Sequence, residues 1–277
     1  MIAINVTNGK MVWATPFIAV GTVLKDVTLP DTHDWDLSWG AITSKVTFDN
    51  GTVRKVVTGG DKMGHVMAMD ALTGKPIWWT RLGTTYRTEV QPKPEGSGIV
   101  WPGAGQGVES YSATDNNNTL YLAVSSMGYN YFVKGQTGFV VPGFDAIANG
   151  VGNGTITALD MRTGKVKWQY PTEFPTHVSP LVTNGLVFTG HAADIGKPYP
   201  FNFFGNPVES KLKPSGIFFA LDKDTGKKLW EFNVGGPIGV GGPSVGDGMI
   251  FVTTGSPSPR PFYTSGSIIA FGLPETK

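Results

Sequence analysis

Apolar and polar residues along this chain alternate in short runs that end at turn residues, as β-strands do. Runs rich in β-branched or aromatic residues and bounded by glycine or other turn formers occupy residues 54–60, 119–126, 185–190 and 248–255. No stretch shows a sustained apolar period of about 3.6 residues, which an amphipathic helix requires. The pattern therefore predicts an all-β protein built from many short strands.

One phrase recurs along the chain without a gap. Its copies are AINVTNGKMVW, AMDALTGKPIW, ALDMRTGKVKW and ALDKDTGKKLW, which begin at Ala3, Ala68, Ala158 and Ala220. They recur at intervals of roughly 60 to 90 residues, enough for about four strands and their loops. The glycine can take a positive φ in the turn, and the closing tryptophan can lie across a neighbouring sheet.

This repeat predicts a β-propeller of four-stranded antiparallel blades, about four of them in this chain and incomplete at both ends. A β-sandwich with coincidental Thr-Gly turns is the alternative fold. The phrase begins in the first residues and no linker interrupts the chain, so we expect residues 1–277 to form a single, partial propeller domain.

Composition and charge narrow the choice of partners. The chain has 38 glycines, 20 prolines and 12% aromatic residues, which suit many turns and packed sheets. Its net charge of +1 comes from interspersed signs without a basic stripe, so we expect no nucleic acid partner. No apolar run is long enough to span a bilayer. Cysteine is absent, which excludes disulfides and thiolate metal sites.

The repeat resembles the tryptophan-docking motif of pyrroloquinoline quinone (PQQ) dehydrogenases, β-propeller enzymes that oxidise alcohols, aldehydes or sugars. Residues 32–36, 56–75 and 101–124 resemble successive segments in the C-terminal half of that family. The resemblance implies PQQ and calcium as cofactors and a small-molecule alcohol or sugar as substrate. The family's calcium ligands and catalytic aspartate lie upstream of the matching region, so no catalytic residue is assigned in this chain.

The resemblance also implies an extracytoplasmic location, either periplasmic, secreted or at the cell surface. Tripeptides of the Asn-x-Ser/Thr type, which accept glycans in exported proteins, point the same way. They begin at Asn5, Asn50, Asn117 and Asn153.

By resemblance, Lys62, Gln106 and His177 are candidates for the rim of a quinone site. Lys62 falls where the family has a Lys or Arg against the quinone, and a cation suits a tricarboxylate; a solvated turn lysine is the alternative. Gln106 falls where the family often has an Asn, although Gly105 or Gly107 takes that place if the alignment slips. His177 replaces a Trp at the cofactor's edge, or is a strand-start histidine bonded to backbone.

A second polar group is close in sequence but favours a structural role. His33, Asp34 and Asp36 resemble an acid–base or metal cluster, yet Trp35 and Trp39 beside them indicate a packed corner whose carboxylates cap turns. The histidines have no HExxH-like spacing. We therefore expect no metal site within this chain.

The function predicted is that of the C-terminal half of a PQQ-dependent quinoprotein, which oxidises an alcohol, aldehyde or sugar in the full assembly. A non-catalytic propeller used as a binding or assembly scaffold is the alternative, and a metal-dependent hydrolase or lyase is a third. Because both end blades lack strands, we expect self-association, or pairing with another propeller chain, through edges near Ile2 to Trp13 and Ser267 to Phe271. A closed ring of about four blades is the competing outcome.

Overall fold

The computed structural model describes residues 1–17, 36–85, 97–103, 106–126, 129–132, 152–193, 215–236, 238, 241–255 and 266–272. Within these ranges the regular elements are β-strands joined by turns, and none of the described segments forms a helix able to cross a membrane. The strands are β1 (Ile2–Ile4), β2 (Met11–Ala14), β3 (Ile42–Thr47), β4 (Val53–Gly60), β5 (His65–Asp70), β6 (Pro76–Arg81), β7 (Ser97–Val100), β8 (Ala113–Thr114), β9 (Thr119–Ser126), β10 (Tyr129–Phe132), β11 (Asn153–Asp160), β12 (Val166–Thr172), β13 (Leu181–Thr183), β14 (Leu186–Ala193), β15 (Ser215–Asp222), β16 (Lys228–Asn233), β17 (Ser244–Gly246), β18 (Met249–Thr254) and β19 (Ser267–Gly272).

The strands pair into antiparallel sheets of the predicted size. Three sheets have four strands, in the orders β3-β4-β5-β6, β8-β9-β11-β12 and β13-β14-β15-β16. Two strands, β1 and β2, precede them, and the three strands β17-β18-β19 follow. The strand pair β7 and β10 forms a further two-stranded sheet that the sequence pattern did not predict.

Each copy of the repeated phrase forms a hairpin with the same local geometry. The first alanine pairs with the closing tryptophan across the two strands, as in Ala68 with Trp78 and Ala158 with Trp168, and the register shifts directly after the alanine. The turn glycines have φ values of 70° to 72°, a region that other residues adopt at a cost. These glycines are Gly9, Gly74, Gly164 and Gly226.

Tryptophans join each sheet to the turn of the next copy. The indole N–H of Trp13 donates to the Ala71 carbonyl at 3.1 Å, that of Trp78 to Met161 at 2.8 Å, and that of Trp168 to Lys223 at 2.9 Å. A Cβ atom on the glycine of each receiving turn would lie within 2.6 Å of the tryptophan ring. The same contact therefore occurs three times between consecutive sheets.

Trp230, which closes the fourth copy, departs from this pattern. A closing tryptophan that lies across a neighbouring sheet should be largely buried. Trp78 and Trp168 are 9% exposed and Trp13 is partly buried, but Trp230 is 39% exposed. Its ring packs edge-on against Phe271 at 5.2 Å and stacks with Phe232. Among the described glycines, none lies against the Trp230 ring. The prediction was therefore wrong for this residue, because within the described part of the chain its neighbours are aromatic rings rather than a repeat turn.

The hydrophobic core is divided among the interfaces between consecutive sheets. Buried Val66 of β5 packs in one cluster with Leu122 of β9, and Ile156 of β11 packs in another with Phe219 of β15. Smaller clusters join the first hairpin to β5 and join β15 to β18. Burial between sheets, at about 25 cal/mol per Å² of apolar surface, therefore holds the repeats together.

Candidate functional site

Lys62 lies in the tight turn that connects β4 to β5. Its ammonium is 3.2 Å from the Asp36 carboxylate, and the Lys62 side chain is 20% exposed whereas that of Asp36 is 74% exposed. The Lys62 N–H donates to the Asp36 carbonyl at 3.1 Å. On its other side, a Cβ atom on Gly107 would lie 2.3 Å from the Lys62 carbonyl oxygen. The Lys62 backbone is thus held between two chain segments, while its ammonium pairs with an exposed carboxylate.

Asp61, the residue before Lys62, closes this turn from the inside. Its carboxylate accepts the N–H groups of Met63 at 3.0 Å and His65 at 2.8 Å. The other carboxylate oxygen is 2.7 Å from His65 Nδ1, and Arg81 Nε donates to His65 Nε2 at 3.0 Å. Asp61 and His65 are both buried. None of these three charged or titratable residues was singled out from sequence.

Gln106 lies beneath the surface. It is 3% exposed, and its side-chain carbonyl accepts the hydroxyl hydrogen of Ser125. Gly107, the alternative candidate, pairs with Ser125 through the backbone. Its N–H donates to the Ser125 carbonyl at 2.8 Å. The other alternative, Gly105, lies outside the described residues. The assignment of Gln106 to the cofactor stays a prediction.

His177 lies beside an acidic residue that the sequence did not point to. Its Nε2 atom is 3.4 Å from Glu109 Oε2, and the two side chains are 22% and 24% exposed. The two residues lie in connecting segments, Glu109 before β8 and His177 before β13, which are strands of different sheets. No spacing rule links positions so far apart, so sequence carried no signal for this pair.

One backbone contact links the Lys62 turn to the segment that carries Glu109. The Val108 N–H donates to the Asp61 carbonyl at 3.0 Å, which places that segment against the turn. We use the name Lys62 face for Asp36, Lys62, Glu109 and His177. Asp36, Glu109 and His177 precede the first strands of three consecutive sheets, and Lys62 lies between β4 and β5 of the first of these sheets. The Lys62 face combines one ammonium and one imidazole with two carboxylates.

The expected packed corner is described only in part. Residues 18–35, including His33, Asp34 and Trp35, lie outside the described ranges. Trp39 is buried, as a packed corner requires, while Asp36 pairs with Lys62. Among the described residues, no group of three or more His, Cys, Asp or Glu side chains could hold a metal ion.

The Lys62 face suits one edge of a quinone tricarboxylate. The Lys62 side chain is partly exposed. The Asp36 carboxylate beside it is largely exposed, so an anionic ligand can take its place against the ammonium. His177 offers a partly exposed ring. Asp36 and Glu109 are acidic and would repel an anion unless a cation accompanies it. Lys62 and His177 are thus the described residues of this face whose chemistry suits an anionic quinone, while the two carboxylates beside them do not.

A solved structure with the same fold supports the propeller prediction. The quinohemoprotein alcohol dehydrogenase from Comamonas testosteroni is similar with a TM-score of 0.62 and 18% identity, over 92% of this chain and 38% of that one. At this identity the likeness establishes the fold alone. It confirms an all-β propeller of four-stranded antiparallel blades.

Two curated proteins are also similar. Lupanine 17-hydroxylase [cytochrome c] from Pseudomonas sp. is 26% identical over 234 residues, covering 74% of this chain and 30% of that protein. Quinoprotein alcohol dehydrogenase PedE from Pseudomonas putida is 34% identical over 86 residues, covering 31% of this chain and 10% of that protein. The chain thus spans less than half of the length of each relative.

The family model PQQ_2, described as outer membrane protein assembly factor BamB, matches residues 1–181. Since the match covers more than half of the sequence, the chain belongs to this family of propeller proteins, which resemble quinoprotein dehydrogenases.

Proposed function

We propose that this chain forms part of a PQQ-dependent quinoprotein that oxidises an alcohol, aldehyde or sugar. The observation that carries the proposal is the placement of Lys62, whose backbone is held between two segments and whose ammonium lies 3.2 Å from the exposed carboxylate of Asp36. The similarity to quinoprotein alcohol dehydrogenase PedE, over 10% of the length of that protein, supports it. The three indole contacts between sheets correspond, in this proposal, to tryptophan docking.

Within this function, the chain's own residues bind and orient. PQQ, when bound, supplies the quinone that accepts the electrons of the substrate. The Lys62 ammonium would bind a carboxylate or carbonyl oxygen of the cofactor, and the His177 ring would border its edge. Gln106, held by Ser125, would support the segment behind them. Calcium, the second expected cofactor, would be held by residues other than those described here.

The Lys62 proposal is tested by titrating the protein with PQQ in the presence of calcium and following visible absorbance. Lys62→Ala is expected to weaken binding by about 1.5–3 kcal/mol, the usual worth of a charge-assisted hydrogen bond. Lys165→Ala removes an exposed lysine from a repeat turn and is the matched control, expected to bind as wild type. Absence of PQQ binding to the wild type at millimolar concentration overturns the proposal. A dye-linked assay with alcohols and sugars then identifies the substrate class.

A scaffold function is the second candidate, and a specific surface favours it. The first hairpin exposes five large apolar side chains, Ile2, Ile4, Val6, Met11 and Val12. Exposed apolar strands invite pairing. In this reading another propeller chain, or a second copy, pairs with the edges near Ile2 to Trp13 and Ser267 to Phe271. Light scattering at micromolar concentration tests it, because a 29.6 kDa monomer with both edges protected from hydrogen exchange contradicts recruitment. Both functions are consistent with an extracytoplasmic location, which we also propose.

A further inference from the structure

We propose that Asp61, itself held by His65 and Arg81, is a positioning residue that keeps Lys62 in the orientation required for anion binding. These three residues are called the Asp61 relay below. The inference rests on the proposed function, since it assigns the relay to the same ligand surface. It concerns residues to which neither the repeat nor the family resemblance gave a role.

The hydrogen bonds define the protonation state of the relay. Arg81 Nε carries a hydrogen and can only donate, so His65 Nε2 must accept at 3.0 Å. The ring hydrogen of the neutral imidazole is then on Nδ1, from which it donates to Asp61 at 2.7 Å. The His65 ring is also 5.2 Å from the Trp79 ring, at 32° to it. The relay therefore has one direction of donation, from Arg81 through His65 to Asp61.

Closing the turn does not by itself require such a relay. At the end of β15, the partly exposed Asp222 accepts the N–H groups of Asp224 at 3.1 Å and Thr225 at 2.8 Å in the repeat turn. Asp61 accepts two N–H groups in the same way, yet it is buried and bonded to a buried histidine. Burying polar and charged groups rarely increases stability over apolar packing. The additional hydrogen bonds, from His65 to Asp61 and from Arg81 to His65, are therefore better explained by the need to fix one conformation of the turn.

The fixed conformation is transmitted to both sides of the Lys62 face. The carbonyl of Asp61 accepts the Val108 N–H, and the next residue, Lys62, donates its N–H to Asp36. A shift of Asp61 would consequently move the Lys62 backbone and the segment that carries Glu109. The relay links this surface to β6, the outer strand of the same sheet, where Arg81 lies.

The substitution Asp61→Asn tests the relay because it reverses one hydrogen bond. The asparagine carbonyl can still accept the two backbone N–H groups, but its NH₂ group facing His65 requires Nδ1 to accept. The imidazole hydrogen then lies on Nε2, where it opposes the Arg81 N–H. We expect about a tenfold loss of PQQ affinity in this variant and less than about a twofold change in the control Asp222→Asn.

A double-mutant cycle separates positioning from a general structural effect. If Asp61 acts through Lys62, Asp61→Asn in a Lys62→Ala background should change PQQ affinity by less than about twofold. An undiminished loss in that background overturns the proposal. Arg81→Lys, which removes the Nε donor and keeps the charge, is a milder second variant for the case in which Asp61→Asn does not fold.

A measurement without PQQ distinguishes failure of this inference from failure of the proposed function. The ¹⁵N shifts of His65 should show a protonated Nδ1 in wild type and a protonated Nε2 in Asp61→Asn, with faster exchange of the Lys62 amide. Unchanged tautomer and exchange overturn the relay even if PQQ binds. If Asp61→Asn changes the His65 tautomer and the Lys62 amide exchange, but the protein binds no PQQ, the relay is supported and the quinone is rejected as the ligand of the Lys62 face.

Discussion

The contacts between sheets and the Lys62 face show two different uses of the same repeated fold. Between sheets, an indole N–H reaches a turn carbonyl three times with nearly the same geometry. On the Lys62 face, the segments that precede the first strands of the sheets carry different residues, Asp36, Glu109 and His177. Positions that repeat thus maintain the fold, and positions that differ among the repeats are available for chemistry.

The largest effect is expected at a docked tryptophan. Trp168→Ala should lower the free energy of unfolding by about 3–5 kcal/mol, because it empties a packed space and removes the bond to Lys223. Denaturant unfolding measures the loss. Trp230→Ala is the matched control and should cost less, since that ring is 39% exposed. Equal losses in the two variants would show that the contact between a tryptophan and a repeat turn adds nothing to stability.

The receiving glycine should show the next largest effect. Gly226→Ala should cost about 1–3 kcal/mol, because the residue has a φ of 72° and its new Cβ would lie 2.6 Å from the Trp168 ring. Gly248→Ala has the same φ of 72° with no atom within 4 Å, so it isolates the backbone cost. If unfolding experiments find the two variants equally stable, contact with the ring is not what requires glycine.

The Lys62 face should contribute little to stability. Lys62→Ala should change the free energy of unfolding by less than about 1 kcal/mol. The partner Asp36 is largely exposed, so water screens the ion pair. The comparison predicts that this variant loses ligand affinity while keeping its unfolding midpoint. A loss of several kcal/mol, measured with the same denaturant, would make Lys62 a structural residue and weaken the contrast.

The smallest effect concerns pH and the repeat turns. The hydroxyl of Thr225 and neighbouring backbone N–H groups lower the pKa of Asp222 below its usual range. A lowered pKa in the folded state contributes stability above the unfolded pKa of about 3.9, and this contribution disappears as pH falls through the folded value. The free energy of unfolding of Asp222→Asn should accordingly vary less with pH than that of the wild type between about pH 5 and 2. A slope identical to wild type contradicts this assignment.

Sequence by itself determined the repeating part of the molecule. The glycine of each copy needs a positive φ, and the alanine and tryptophan stand at fixed spacing across one hairpin, so the sheets and most tryptophan contacts were predictable from local rules. The exposure of Trp230 was not, because it depends on which residues lie opposite.

Only the tertiary structure decided which polar groups meet. Glu109 and His177 approach within 3.4 Å from different sheets, and the buried Asp61 and His65 meet Arg81 across the strands β5 and β6. Gln106 is buried and accepts a hydrogen bond from Ser125, a contact that the sequence did not predict. Local rules fix backbone conformation within a hairpin, whereas contacts between distant side chains depend on how the sheets pack against one another.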